Sequence, residues 1–266
     1  MKRIICDTNI WYGLGNSSIT KPKNVKLIAT WINIIEIGFS HEEIKENLNV
    51  EDCKKAAKAI LDFADEIIYL DPFGYATNRI SSDFKINQKS LKDILIEIST
   101  NGLPDTNGYL KNKSIYDYFM TLKNNYSTNI NLEKDKIRKV QLKDSTTKDA
   151  FKISDNSQVE EHAVGLLTDI NEFLQSEHDK ELSFLDKKDF DFTIEEIKND
   201  FVCFLDTKQK FMKKLVLIKS MKMQPNDFFD LLNLLYIDKD TLFWTKEIRW
   251  KSALKEADME NFLYEK

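Results

Sequence analysis

The chain has 266 residues, 42% hydrophobic and 31% charged, so it can bury a sizeable core and is too apolar for global disorder. Its formal net charge of −5 gives no global basic field for nucleic acid, although a local basic patch would suffice for binding. No apolar window reaches the length of a membrane helix, about 18 residues. Three scattered cysteines predict neither a disulfide framework nor a zinc knuckle, so we expect a cytoplasmic protein without a membrane partner.

The first 72 residues alternate between strand-like and helical patterns. A short apolar run over residues 3–6 is typical of a buried strand. Residues 26–39 have apolar side chains at a spacing of three to four and predict a helix, with a β reading left open because many are β-branched. A further helix is predicted over residues 50–64 and a strand over residues 67–70. This alternation predicts an α/β unit with a mostly parallel sheet.

Residues 73–199 differ from the beginning of the chain and predict a predominantly helical insertion. Residues 116–126 and 159–174 have helical patterns. Residues 100–108 and 143–157 are rich in polar and turn-forming side chains and predict loops.

Residues 200–266 return to tight patterning and complete the α/β domain begun by residues 1–72. Pro225 stands where a helix begins well. The predicted elements are a basic helix over 208–222, an apolar helix over 227–237, a strand over 241–244, a helix over 250–257 and a short strand over 261–264. We expect a three-layer α/β/α fold in which the helical insertion divides one discontinuous domain.

Acidic residues stand beside these apolar elements. Asp7 directly follows the first predicted strand, and Glu247 comes shortly after a late one. The carboxyl ends of parallel strands meet at one edge of a sheet, where predicted helices can also present Glu36, Asp227 and Asp230. Carboxylates in apolar surroundings are costly unless they are paired or bound to metal, and Mg²⁺ or Mn²⁺ prefers carboxylate oxygens. The pattern therefore predicts a site for one or two such ions.

Each acid has a simpler interpretation when it is taken alone. Asp7 could cap the following helix, as could Asn9, and Glu36 could pair with a lysine. Asp227 suits the first turn of a helix, where the helix dipole stabilises negative charge. Glu247 could be a solvated loop acid. Their joint occurrence favours the metal site.

Four basic residues are candidates for nucleic-acid binding. Lys213 and Lys214 belong to the basic helix, while Lys246 and Arg249 flank Glu247. Contacts with phosphate groups would make binding depend on salt. A solvated or structural role is an equal alternative for each.

The order of these motifs resembles that of PIN domains, a family of metal-dependent ribonucleases. The first motif is matched by ICDTNIWYGL, an apolar strand ending in Asp, Thr and Asn, and the second by ATWINIIEIGF, with its lone Glu. The third and fourth motifs are matched together by NDFFDLLNLLYIDKDTLFWTKE. The resemblance covers residues 1–72 and about 200–264.

The resemblance implies a set of catalytic, metal-binding acids with two supporting polar residues. The acids are Asp7, Glu36, Asp230 and, at the fourth position, Glu247; the supporting residues are Asn9 and Thr245. The family usually has Asp where this chain has Glu247, which is one methylene longer. Asp227 is the alternative to Asp230 as third ligand.

The activity that the resemblance implies is endonucleolytic hydrolysis of RNA by water, activated by one or two carboxylate-bound Mg²⁺ or Mn²⁺ ions. Small PIN nucleases are often toxins, so an antitoxin joins RNA and a second copy of the chain among the expected partners. The alternatives are a catalytically weak or inactive PIN-like module that binds RNA or protein, and a structure-specific DNA nuclease.

Overall fold

A computed structural model of the protein describes most of the chain. The described residues are 1–39, 50–80, 91–102, 106–141, 161–166, 168–170 and 193–265. The loop predicted over residues 143–157 lies outside them. Of the helix predicted over residues 159–174, the described part, 161–166 and 168–170, is helical.

Within the described residues, four parallel strands form a sheet, in the order β3-β2-β1-β4. The strands are β1 (Lys2–Cys6), β2 (Val25–Thr30), β3 (Glu66–Ile68) and β4 (Thr241–Trp244). In the register, Ile5 lies opposite Ile28, and Cys6 lies opposite Trp244. The buried apolar run of β1 suits this central position, because both faces of a parallel sheet are covered. The carboxyl ends of β1, β2 and β4 therefore meet at one edge.

Helices flank the sheet in two groups. The helices are α1 (Thr8–Gly15), α2 (Trp31–Phe39), α3 (Val50–Phe63), α4 (Pro72–Ile80), α5 (Lys92–Asn101), α6 (Thr106–Gln141), α7 (Ile194–Asp200), α8 (Val202–Leu217), α9 (Pro225–Asn233) and α10 (Ile248–Glu256). Helices α1, α2, α3 and α5 pack on one another, while α4, α7, α8, α9 and α10 form a second connected group that α6 joins. The fold is a three-layer α/β/α arrangement, as the sequence predicts.

The described helices of the predicted insertion pack onto this core. Helix α5 contacts α2 and α3, and α6 lies along α9. The division of the chain at residues 72 and 200 stays a prediction.

The helix predicted over residues 26–39 is wrong for its first part. Residues 25–30 form β2, and a helix begins only at Trp31. Almost every side chain in this stretch is buried, so the apolar pattern fits a buried strand and a helix equally well. Pairing with β1 decides between them.

Further elements along the chain also differ from the sequence prediction. The loop predicted over residues 100–108 is interrupted, because α5 runs to Asn101 and α6 begins at Thr106. The basic helix ends at Leu217 instead of residue 222. The predicted last strand is a 3-10 turn over Glu260–Phe262, followed by a single bridge from Leu263 to β4.

In the part of the chain that the structure describes, no helix is both long and apolar enough to cross a membrane. Cys6, Cys53 and Cys203 are buried free thiols.

Candidate metal centre

Asp7 lies at the carboxyl end of β1, where its backbone N–H donates to the Trp244 carbonyl at 2.9 Å. Asp7 is the N-cap residue of α1, yet its side chain makes no capping hydrogen bond. The carboxylate, only 2% exposed, instead accepts a hydrogen bond from the Thr245 hydroxyl at 2.7 Å. Asp7 thus points its carboxylate at the end of β4 and does not cap the helix.

Glu247 reaches the same place from the turn that follows β4. The Thr245 hydroxyl oxygen accepts the backbone N–H of Glu247 at 3.0 Å, which fixes the turn after the strand. Glu247 is the N-cap residue of α10 and also makes no capping hydrogen bond. Its Oε1 accepts from Asn9 Nδ2 at 2.9 Å. Thr245 and Asn9 therefore orient two of the predicted acids.

Asp230 comes to this group from α9. The helix begins at Pro225, whose missing N–H costs nothing in the first turn. Asp230 is 7% exposed and accepts a hydrogen bond from Trp250 Nε1 at 2.8 Å. One carboxylate oxygen from each of Asp7, Asp230 and Glu247 lies within 4.8 Å of the other two. This spacing allows all three to bind one cation.

Glu36 borders this group from α2. It is partly buried, and its Oε2 accepts a hydrogen bond from the Thr8 hydroxyl. The Thr8 oxygen in turn accepts from Asn33 Nδ2 at 3.1 Å. Asn33 is one helical turn before Glu36 and fully buried, so a fixed polar network orients the fourth acid.

Burial and the neighbouring negative charges raise the pKa values of acids in this group. Burial raises the pKa of Asp7 to about 6, with the charge of Glu247 adding to it and the Thr245 hydrogen bond opposing it. Burial likewise raises the pKa of Glu36 to about 7. For Asp230, burial and then the charges of Asp7 and Glu36 hold the pKa well above its ordinary range. A divalent cation would relieve both desolvation and mutual repulsion.

The Asp227 carboxylate interacts with partners other than the acids of this group. Its carboxylate accepts the backbone N–H of Gln224 at 2.6 Å, closing a capping box at the start of α9. It also forms an ion pair with Arg249 at 2.8 Å. Of the two candidates for the third ligand, the structure brings Asp230 to the group and leaves Asp227 at the helix start.

The predicted nucleic-acid-binding residues have different surroundings. Lys214 pairs with Glu256 at 2.6 Å. Arg249 pairs with Asp227, and its guanidinium lies over the Phe211 ring at 4.9 Å. Lys246 is exposed beside Glu247, while Lys213 is half-buried on α8. Among the four basic candidates, Lys246 is therefore the one that has an exposed side chain and also adjoins an acid of the group in sequence.

Sequence reasoning missed several residues that orient the acids. Thr8 and Asn33 carry a usable signal, since Thr8 follows Asp7 directly and Asn33 precedes Glu36 by one turn. Trp250 carries none, because a Trp in an apolar helix pattern indicates core packing, and Trp250 is 1% exposed. Its indole N–H shows its second role only in three dimensions.

We compared the chain with family models, curated proteins and solved structures, and none of the three comparisons gives a match.

Proposed function

We propose that the protein is a metal-dependent endoribonuclease with a PIN-like site. The observation that carries this proposal is the convergence of Asp7, Asp230 and Glu247, with carboxylate oxygens within 4.8 Å of one another, at the carboxyl edge of a parallel sheet. Ligands bind at this edge in open α/β sheets. The order of the acids along the chain, which resembles that of PIN domains, supports the same function.

The donor set fits hard divalent ions. All its acids offer carboxylate oxygens, which suit Mg²⁺ and Mn²⁺ better than softer metals. Thr245, Asn9 and Trp250 already hydrogen-bond these carboxylates, as the neighbours of metal ligands commonly do. When bound, the ion supplies Lewis acidity, which activates water and neutralises charge on phosphate.

The proposed function assigns a role in metal binding to each of the four acids. Asp7, Asp230 and Glu247 would hold one cation, and Glu36 would add a fourth carboxylate for a second. Hydrolysis consumes one water for each phosphodiester bond: its oxygen joins phosphorus as the bond to a sugar oxygen breaks. One proton of that water ends on the released sugar oxygen, and the other returns to solvent. An antitoxin and a second copy of the chain stay predictions.

A metal titration and a cleavage assay test this proposal together. We expect Mn²⁺ to bind the wild type and to switch on cleavage of single-stranded RNA. Asp7→Asn should lower cleavage by about 100-fold or more, because it removes a charged ligand. The matched control is Asp62→Asn, which removes an exposed carboxylate that pairs with Lys58 on α3 and should change neither result.

The other outcomes identify the alternatives. Cleavage of DNA but not RNA of the same sequence would assign a DNA nuclease. RNA binding without Mn²⁺-dependent cleavage would assign a binding module. Undiminished cleavage by Asp7→Asn would contradict the site itself.

A further inference from the structure

Helix α6, from the predicted insertion, is fixed against the helix that carries Asp230. The Asn131 side chain exchanges two hydrogen bonds with the Met223 backbone, from Nδ2 to the carbonyl and from the N–H to Oδ1, each 2.9 Å long. Met223 lies two residues before α9 begins. Further along, the rings of Tyr126 and Phe228 lie 5.2 Å apart between centroids. These contacts set the position of α6 relative to the acids.

Lys123 lies on this helix, one turn before Tyr126. Its side chain is only 5% exposed, and its Nζ lies 5.3 Å from the centroid of the Phe229 ring. Phe229 is the neighbour of Asp230 in sequence. The charge of Lys123 also lowers the pKa of Glu36, against the larger effect of burial. A buried ammonium therefore lies over the ring that adjoins Asp230 in sequence, and its charge acts on Glu36.

Burial of a lysine is unfavourable, but a buried ammonium can stabilise negative charge on a substrate. Lysines are almost never fully buried, because the charged group loses hydration. A fixed cation in a site that excludes water stabilises negative charge far better than one in bulk solvent. Phosphoryl transfer places such charge on the phosphate oxygens in the transition state. The acids with their ions would approach the phosphate from one side, leaving oxygens for another cation.

We propose, on the basis of the proposed function, that Lys123 is a further catalytic residue whose ammonium contacts the scissile phosphate of the RNA. It stabilises the charge that develops on the phosphate oxygens as water attacks. The insertion thus supplies part of the active site.

A catalytic role for Lys123 predicts that kcat and Mn²⁺ affinity respond differently to its loss. A structural role predicts that Mn²⁺ affinity and Tm fall together. Lys123 repels a divalent cation and attracts phosphate. Loss of its charge should leave metal binding intact or strengthen it, while catalysis falls. If Lys123 only balanced the charge of Glu36 and held the fold, its loss would weaken metal binding and lower Tm.

The experiment compares Lys123→Met and Lys123→Arg with the wild type. Mn²⁺ affinity, Tm, kcat and KM for single-stranded RNA are measured for each. We expect Lys123→Met to lower kcat by about 100-fold or more, with Mn²⁺ affinity unchanged or higher, and Lys123→Arg to restore part of the loss. The control is Lys136→Met, which removes an exposed charge from the same helix, paired with Glu133 at 2.6 Å, and should leave kcat unchanged.

The outcomes distinguish this inference from the proposed function. A wild type without Mn²⁺-dependent cleavage overturns the function and the role of Lys123 with it. An active wild type with an equally active Lys123→Met overturns the role of Lys123 alone. Loss of Mn²⁺ binding and Tm together in Lys123→Met and Lys123→Arg assigns Lys123 a structural role and overturns the catalytic one.

Discussion

Asp7→Asn should stabilise the metal-free protein at alkaline pH, although it should lower cleavage by about 100-fold or more. Burial raises the pKa of Asp7 from an ordinary value of 3.8 to about 6. Since one pKa unit corresponds to about 1.4 kcal/mol, ionised Asp7 lowers the free energy of unfolding by about 3 kcal/mol at pH 8. Asparagine keeps the shape, and its Oδ1 can still accept from Thr245, but it carries no charge.

The pH dependence of the free energy of unfolding follows from the raised pKa of Asp7. The folded protein binds the Asp7 proton more tightly than the unfolded chain does, so stability is full below about pH 4 and falls as pH rises to about 6. Glu36, with its pKa raised to about 7, extends the decline to that pH, and Asp230 acts in the same direction. Asp7→Asn should therefore exceed the wild type by about 1.5 kcal/mol at pH 5 and about 3 kcal/mol at pH 8.

Urea unfolding in EDTA, at pH 5 and pH 8, measures these differences. The control variant Asp62→Asn should stay within about 0.5 kcal/mol of the wild type at both values, as exposed substitutions do. Excess Mn²⁺ should then stabilise the wild type selectively, by about 2.7 kcal/mol at 100 times the dissociation constant. If Asp7→Asn is no more stable than the wild type at pH 8 in EDTA, the reasoning from burial and repulsion is refuted.

Two further pairs of substitutions test how the acids are held. Asp230→Asn should abolish Mn²⁺-dependent cleavage, whereas Asp227→Asn should keep cleavage, because its amide oxygen can still accept the Gln224 N–H at the helix start; equal loss of Mn²⁺ affinity in calorimetry would contradict this division. Thr245→Val, which removes the hydrogen bonds to Asp7 and Glu247, should weaken Mn²⁺ binding by about 10- to 100-fold, and Thr245→Ser should restore it. Unchanged affinity in the valine variant would show that Thr245 does not orient the site.

The candidate site was predictable where it depends on strand ends. Asp7 follows β1, and Glu247 comes two residues after Thr245 at the end of β4, so the parallel sheet alone brings both to one edge. Glu36 was placed on a helix, as predicted, even though residues 25–30 before it are a strand. The structure also brings Asp230, and not Asp227, to the other acids.

Helix α6 was not predictable to its full length. It has 36 residues, and the sequence pattern predicts a helix only over residues 116–126. The rest contains many Asn, Ser and Thr side chains, which are weak helix formers. Packing on α9 supplies the stability that local propensity lacks. The position of Lys123, whose charge acts on Glu36, depends on that packing and has no local sequence signal.

Helix starts explain why the acids were ambiguous in the sequence. Asp7, Asp227 and Glu247 all stand at or near the first turn of a helix, where an acid can cap the backbone. Asp227 does cap, whereas the carboxylates of Asp7 and Glu247 are turned away by hydrogen bonds from Thr245 and Asn9. The helix dipoles of α1 and α10 still favour their negative charge. Two helix starts thus carry an acid whose side chain makes no capping hydrogen bond and is held instead beside the other acids, as a metal ligand must be.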